Sequence, residues 1–297
     1  NWNGGSVLPG MLDSVAGQVA GGGGRLLVFD NGSQDGSDRD ALEKYGDEPW
    51  FSLVRSPVNL GFAVGVNMAL EGVDTPEVVI ANSDTVFLPG SLGSLLEGLR
   101  RHPGAGLAGP VLLWPDGRIQ ESMRDFPFPG RLIAEHLPLL RRRSFRYRDH
   151  SRETRCDWVV GAVMAVRTGV FRELGGFDED YFFYHEETDL QYRMKKAGWE
   201  IWLIPSSRVI HLEGASAKRL FGGETYLRYI PAKLRFLSKH AGAGSRAAFR
   251  GWMSALMLWR AAVGLLCPSL AERDGRFGVS YCRRALKLLF APTERNA

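Results

Sequence analysis

The sequence predicts an α/β fold in which a mostly parallel sheet is flanked by helices and followed by a C-terminal helical extension. Short unbroken apolar runs, Arg25-Leu-Leu-Val-Phe29, Phe51 to Val54 and Val78 to Ala81, have the character of strands covered on both faces. Helical patterns separate these runs, which is the rhythm of crossover units. Polar clusters follow the runs, so reactive groups stand beyond the carboxyl ends of strands, where open α/β sheets bind ligands.

Composition sets the frame. The chain has 297 residues, 44% hydrophobic and 24% charged, a globular balance that can bury one large core with a helical appendage. Cys156, Cys267 and Cys282 lack metal-ligand spacing and leave an odd thiol under any pairing. That points to a reducing compartment, the cytosol, without a disulfide framework. The net charge of +4 hides an asymmetry: residues 214–297 hold fifteen Lys/Arg against four acids, whereas residues 1–213 hold 22 against 29. A basic tail of this kind suits an anionic membrane face, a nucleic acid or plain solvation.

Residues 1–5, Asn-Trp-Asn-Gly-Gly, form a turn ahead of the helical pattern Leu8, Leu12, Val15, Val19. A strand is expected before such a turn and is absent, as is an initiating methionine, so no signal peptide is read here. Gly21–Gly24 is a loop, and the strand after it delivers Asp30 to a sheet edge at Asp30-Asn-Gly-Ser-Gln-Asp-Gly-Ser37. An acid there can accept hydrogen bonds from a nucleotide base or ribose, while the same spelling also makes a plain Asx turn. A helix over 38–45 and the strand at 51–54 lead to Asn59-Leu-Gly-Phe-Ala-Val-Gly-Val-Asn67. There Gly61 and Gly65 permit close backbone approach at a helix start. The strand at 78–81 ends in Asn82-Ser-Asp84. Extended residues two apart point the same way, so Asn82 and Asp84 are expected to offer two oxygens to one hard cation on a diphosphate. Neither G-x-G-x-x-G after a strand nor G-x-x-x-x-G-K-[ST] occurs, which argues against hydride transfer and P-loop phosphoryl transfer.

From Gly109 the rhythm changes. Gly109 to Trp114 reads as a strand entering a Pro-Asp-Gly turn, and Arg118 to Phe126 as its return. Residues 127–155 hold Pro127, Pro129, Pro138, Arg141, Arg142, Arg143, Arg146, Arg148, Arg152 and Arg155 and are expected to form a mobile basic loop. It reads either as a lid or anionic-acceptor site or as a solvated insertion. Asp157 to Val166 is expected as one buried strand, Thr168 to Leu174 as a short helix and Gly175-Gly-Phe-Asp-Glu179 as a turn.

The densest chemistry follows, in Tyr181-Phe-Phe-Tyr-His-Glu-Glu-Thr-Asp-Leu190. Mutual repulsion among Glu186, Glu187 and Asp189 should raise at least one pKa and leave a carboxylate suited to accepting a proton. Leu190 and Met194 lie one turn apart, Asp189 pairs with Arg193 at i,i+4, and Gly198 fits a helix stop. The acids therefore open a helix, where the macrodipole also favours acids of purely structural role. Glu200 to Pro205 is a strand, and Val209-Ile-His-Leu-Glu-Gly-Ala-Ser216 presents His211.

Six motifs in this order, Asp30-Asn-Gly-Ser-x-Asp-Gly-Ser, Asn59-Leu-Gly-Phe, Asn82-Ser-Asp84, Gly175-Gly-Phe-Asp-Glu, Phe183-Tyr-x-Glu-Glu-x-Asp-Leu190 and His211-x-x-Gly-x-Ser216, resemble family 2 glycosyltransferases of the GT-A fold. The resemblance spans roughly residues 1–220 and is strongest to the bacterial rhamnosyltransferase-like branch that builds cell-surface polysaccharide. It implies a nucleotide-sugar donor, a divalent cation (Mg²⁺ or Mn²⁺), an inverting single displacement and a glycan or polyprenyl-linked acceptor, L-rhamnose from dTDP-rhamnose being the sugar expected. Carried over by position, Asp30 contacts the donor base, with Asn31, Asn59, Gly61 and Asn67 on the donor side. Asp84, with Asn82 and His211, holds the metal. Glu187 is the base, Glu186 and Asp189 are its orienting or acceptor-binding neighbours, and Trp158 and Gly161 lie on the acceptor side. The sequence departs from the family pattern at the absent first strand, at Asn82 where many relatives have Asp, and at Glu187 where Asp is commoner.

The expected catalytic domain is 1–216 and the basic helical extension 217–297. In the extension, Trp252 to Leu266 is too short for a membrane span of about 20 residues and carries Arg260. It suits packing on the catalytic domain, on a homodimer partner, or on the inner membrane leaflet of a cytoplasmic enzyme. No nucleic-acid partner is expected. Two other readings stay open: a donor-binding scaffold that has lost catalysis, and a nucleotidyltransferase.

Overall fold

A computed structural model describes residues 1–131, 149–212, 225–273 and 275–291. It divides into two compact units: Asn1–Phe126 with Phe145–Leu220, and Pro127–Ser144 with Phe221–Ala297. Pro138, Arg141, Arg142, Arg143, Arg146 and Arg148 of the expected basic loop, and the 213–216 end of the His211 motif, lie outside the described residues.

In the first unit, helix α1 (Leu8–Gly21) precedes β1 (Leu26–Asp30), α2 (Ser37–Tyr45), β2 (Phe51–Arg55), α3 (Phe62–Ala69), β3 (Glu77–Ala81), β4 (Thr85–Phe87) and α4 (Ser91–Arg101). There follow β5 (Ala105–Leu113), β6 (Met123–Arg124), β7 (Thr154–Cys156), β8 (Trp158–Val159), β9 (Val163–Arg167), α5 (Thr168–Glu173), α6 (Glu186–Lys196) and β10 (Glu200–His211). β1 and β2 pair in parallel, and a larger sheet has the order β3-β9-β5-β10-β4, with β7 also on β10.

The α/β architecture with flanking helices is the expected one; the strand directions are not. β5–β10 is parallel, but β3–β9, β5–β9, β10–β4 and β10–β7 are antiparallel. The reason is connection type. β4 follows β3 through a tight turn at Asn82–Asp84, and β9 is reached through a turn after β8, so neither arrives by a helical crossover. That second turn also splits the single strand expected over 157–166 into β8 and β9. β7 lies within the stretch expected to be loop, held to β10 as an edge strand. Only Met123–Arg124 of the expected 118–126 return is a strand, with one further bridge between Leu113 and Ile119.

The unbroken apolar character of β5 has a direct cause: all nine of its residues are buried. Ala105, Ala108 and Leu112 join a cluster with Leu8, Leu12 and Val15 of α1 and Leu95 and Leu99 of α4. Leu107, Val111 and Leu113 join another with Val170 and Phe171 of α5 and Leu190 and Met194 of α6. Both faces of the central strand are thus covered, and α6 is seated by its Leu190/Met194 stripe.

The second unit contains α7 (Thr225–His240), α8 (Gly242–Leu266), α9 (Pro268–Arg273) and α10 (Val279–Phe290). Phe249, Met253 and Met257 of α8 and Tyr281, Cys282, Ala285 and Leu289 of α10 are buried within it.

Candidate active site

Helix α6 is entered through Tyr184 and His185, with φ of 72° and 67°. Two successive non-glycine residues in the left-handed region cost on the order of 1–3 kcal/mol each and are retained where the surroundings demand them. Glu186, directly after them, is buried, and Glu187 is half-buried. Oε2 of each is shielded from solvent and accepts no hydrogen bond. Burial first, and then the charge of Glu187, pushes Glu186 well above the ordinary carboxylate range. Burial also raises Glu187, opposed by the backbone amides of the helix start and by Arg124. The raised carboxylate is the expected one, but desolvation and not mutual repulsion is its main cause.

Asp189 is engaged elsewhere. Its Oδ2 accepts from Arg193 Nε at 2.7 Å, and the other two nitrogens of Arg193 donate to Leu174 O at 2.7 Å and Gly176 O at 2.8 Å. This ion pair pins α6 to the Gly175–Gly176 turn.

Gly161, in the turn between β8 and β9, stands against Glu187. A Cβ placed on it would lie 2.9 Å from Glu187 Cγ and 3.0 Å from Glu187 Cβ, so glycine makes room for this side chain. Gln191, one turn along α6 and fully buried, holds the two segments together. Its Oε1 accepts from Val159 N at 2.8 Å, and its Nε2 donates to Val159 O at 2.9 Å and Glu187 O at 3.1 Å. Trp158, before Val159, donates Nε1 to Asp125 O at 2.9 Å and lies under the Arg124 guanidinium.

At the end of β1, Asp30 is buried and already well supplied. Its carboxylate accepts from Ser33 Oγ at 2.6 Å, Ser33 N at 3.0 Å and Asn1 Nδ2 at 2.8 Å, an Asx turn at the end of β1. Asn31 donates to Gly61 O at 2.9 Å and accepts from Leu60 N at 2.8 Å, while Asn59 Oδ1 accepts from Gly61 N at 2.9 Å. Gly61 has φ +84° and lies where a Cβ would be 2.7 Å from Phe182 O, so the 59–61 loop abuts the segment leading into α6. Asn67 is bound to the turn before that segment, accepting from Phe177 N at 2.9 Å and donating to Phe177 O at 2.8 Å.

Asn82 and Asp84 sit in a turn rather than in extended chain, closed by Thr85 Oγ1 donating to Asn82 O at 2.7 Å, so the same-face argument does not apply to them. The fold joins them to the rest by other means. Asn82 N donates to Ala162 O at 2.9 Å, next to Gly161. Asp84 Oδ1 lies 3.7 Å from His211 Nε2, both residues being buried, and β10 pairs with β4 at this point. Gln120 holds His211 from behind, donating Nε2 to His211 O at 2.7 Å with Oε1 3.1 Å from Nδ1. A carboxylate oxygen and an imidazole nitrogen side by side form a donor set that suits Mg²⁺ or Mn²⁺ when other oxygens complete the shell. Among the described residues no three His, Cys, Asp or Glu side chains cluster.

These contacts link Asn31 and Asn59 to Gly61 and, through it, to Phe182 at the entry to α6, and link Ala162, beside Gly161, to Asn82 in the turn that carries Asp84 next to His211. The profile of the family described as "Glycosyltransferase like family 2" matches residues 1–223. The chain belongs to this family. Its activity is glycosyl transfer. The N-acetylglucosaminyl-diphospho-decaprenol L-rhamnosyltransferase of Mycobacterium tuberculosis is 34% identical over 278 residues, covering 88% of this chain and 85% of that one. The rhamnosyltransferase WbbL of Escherichia coli is 27% identical over 118 residues, 40% of this chain and 44% of its own. Among solved structures, the mannosyltransferase PcManGT of Pyrobaculum calidifontis, in complex with GDP-Man and Mn²⁺, superposes with a TM-score of 0.53 at 18% identity over 98% of this chain and 85% of that one. GalNAc-T7, with UDP, GalNAc and Mn²⁺, gives 0.56 at 15% identity over 76% of this chain and 45% of that one. Both likenesses concern the GT-A fold, as the sequence motifs implied.

Sequence reasoning missed Gln120 and Gln191, because a lone glutamine carries no spacing signal.

Proposed function

We propose that the protein is an inverting rhamnosyltransferase that moves L-rhamnose from dTDP-rhamnose to a hydroxyl of a lipid-linked, polyprenyl-diphosphate acceptor. The observation that carries the catalytic part is Glu187, a desolvated carboxylate with an unfilled oxygen, given space by Gly161 and braced through Gln191. Such a group takes the proton of the acceptor hydroxyl as that oxygen forms its bond to the anomeric carbon. The bond from the same carbon to the diphosphate breaks on the opposite face, and the electron pair leaves with the nucleoside diphosphate. General-base help of this kind is worth about 10²–10⁴-fold. Asp84 and His211 would hold a divalent cation, which when bound offsets the charge on the leaving diphosphate. The rhamnosyl and lipid-linked assignments are supported by the name of the Mycobacterium tuberculosis relative, and the cation by the Mn²⁺ in the two solved relatives.

The second unit fits an acceptor held at a lipid surface. Leu258, Trp259, Leu265 and Leu266 form an exposed apolar stripe on α8, and Arg283, Arg284 and Lys287 are exposed on α10. Among the described residues no helix is long and apolar enough to cross a membrane. We read this as a peripheral contact with the anionic inner leaflet of the cytoplasmic membrane.

The test is a transfer assay with dTDP-rhamnose, UDP-GlcNAc and GDP-mannose as donors and N-acetylglucosaminyl-diphospho-decaprenol as acceptor, with Mn²⁺ or EDTA. Transfer from dTDP-rhamnose alone, abolished by EDTA, is expected; transfer from another donor would replace the sugar, and unaltered rates in EDTA would remove the cation. Flotation with phosphatidylglycerol vesicles but not phosphatidylcholine vesicles is expected, and sedimentation as a dimer without flotation would assign the stripe to a second copy.

A further inference from the structure

We propose that Gln120 is a positioning residue for the donor site, fixing His211 as the Nδ1–H tautomer so that Nε2 is presented as a lone-pair donor beside Asp84. The inference rests on the reading of Asp84 and His211 as the cation-diphosphate site and adds the residue that prepares it.

Gln120 is buried, and its carboxamide faces the backbone and the ring of the same histidine. The bond to the backbone decides which way the amide is turned: only its NH₂ can donate to His211 O, so Oε1 must be the atom 3.1 Å from Nδ1. A carbonyl oxygen only accepts, hence Nδ1 carries the proton. A neutral imidazole has one N–H, which leaves Nε2 as the acceptor, directed toward Asp84 Oδ1 at 3.7 Å. That separation is too long for a hydrogen bond from an Nε2–H to the carboxylate.

The support beneath Gln120 is rigid. Its N donates to Leu112 O at 2.8 Å, its O accepts from Ser122 Oγ at 2.9 Å, and Leu112 N donates to that same hydroxyl at 2.8 Å. Gln120 is thereby locked to the fully buried strand β5, and His211 is the last residue of β10, the parallel neighbour of β5. A histidine that binds metal usually gives its other ring nitrogen to a fixed acceptor, and removing such a partner typically costs about 10–100-fold in metal affinity.

The experiment has a metal-free arm and a metal arm. In protein labelled with ¹⁵N at histidine, long-range ¹H–¹⁵N correlation reads the tautomer of each ring, and the cross-peaks missing in His211→Ala assign His211. The wild type should show Nδ1–H in EDTA, and Gln120→Leu should lose it. Mn²⁺ titration followed by the electron paramagnetic resonance of the free ion should show Gln120→Leu weakened about 10–100-fold. Equal melting of the variants and the wild type in EDTA separates this from damage to the fold. An Nε2–H wild type overturns the inference, as does Mn²⁺ affinity in Gln120→Leu within about twofold of wild type while Asp84→Ala and His211→Ala lose it. If Asp84→Ala and His211→Ala bind Mn²⁺ as the wild type does, the donor-site reading itself fails and takes the inference with it.

Discussion

The end of β1 and the first turn of α6 both bury acids beside backbone amides, yet the two regions treat their carboxylates in opposite ways. Asp30 accepts three hydrogen bonds from Ser33 and Asn1. Glu186 and Glu187 each keep an oxygen that is buried and accepts none, and both are pushed toward the protonated form by burial. Asp189 sides with Asp30, since Arg193 answers it within its own helix. A buried acid whose acceptors are filled by its own chain is a brace. One left short of partners is held at a cost in stability, which makes it a candidate for chemistry.

The largest test of this contrast is Glu187→Gln. Transfer should fall by about 10²–10⁴-fold in single-turnover assays, with donor affinity by calorimetry unchanged; near-normal turnover would hand the base role to Glu186. Next is Gly161→Ala, whose methyl would press on Glu187. A displaced base should lower kcat by about 10²-fold and leave donor affinity alone, whereas Gly93→Ala, with open space around it in α4, should leave kcat as it is.

The braces and the strained acids should then differ in the sign of their stability effects. Asp30→Asn removes charged acceptors from three donors and should destabilise by about 2 kcal/mol in urea unfolding at neutral pH. Glu186→Gln should instead raise stability at neutral pH, and a loss like that of Asp30→Asn would place Glu186 among the braces. The pH dependence follows from the same shift. A carboxyl raised in the folded state holds a proton that the unfolded chain has released, so stability falls as pH rises from the unfolded value through the raised folded one. Glu186→Gln should flatten that decline, seen as a smaller change in Tm between acid and neutral buffers. For Glu187 the raised value means that transfer is lost on the acid side at a higher pH than an ordinary carboxylate would give.

Much of the site was legible because its parts are local. The apolar runs at 26–29 and 78–81 mark buried strands, since a strand covered on both faces tolerates little else, and Glu186, Glu187 and Asp189 announce themselves by spacing. What local pattern could not separate was role. Asp30, Asp84, Glu187 and Asp189 are all acids at the ends of elements, and spelling alone does not tell a filled carboxylate such as Asp30 or Asp189 from one such as Glu187 that keeps an unfilled oxygen. Gly161 to Glu187 and Asp84 to His211 are contacts that periodicity does not encode.

By itself the sequence determined the α/β layering, the order of the motifs and the family, because these follow from hydrophobic periodicity and short-range spelling. Only the tertiary structure decided the antiparallel pairings of β9 and β4, the anchoring of Arg193 on Leu174 O and Gly176 O, and the clamp of Gln120 on His211. Turns can reverse a strand without changing its apolar pattern. The fate of a buried polar group depends on whether a partner arrives from elsewhere in the chain, and that is settled when the chain packs.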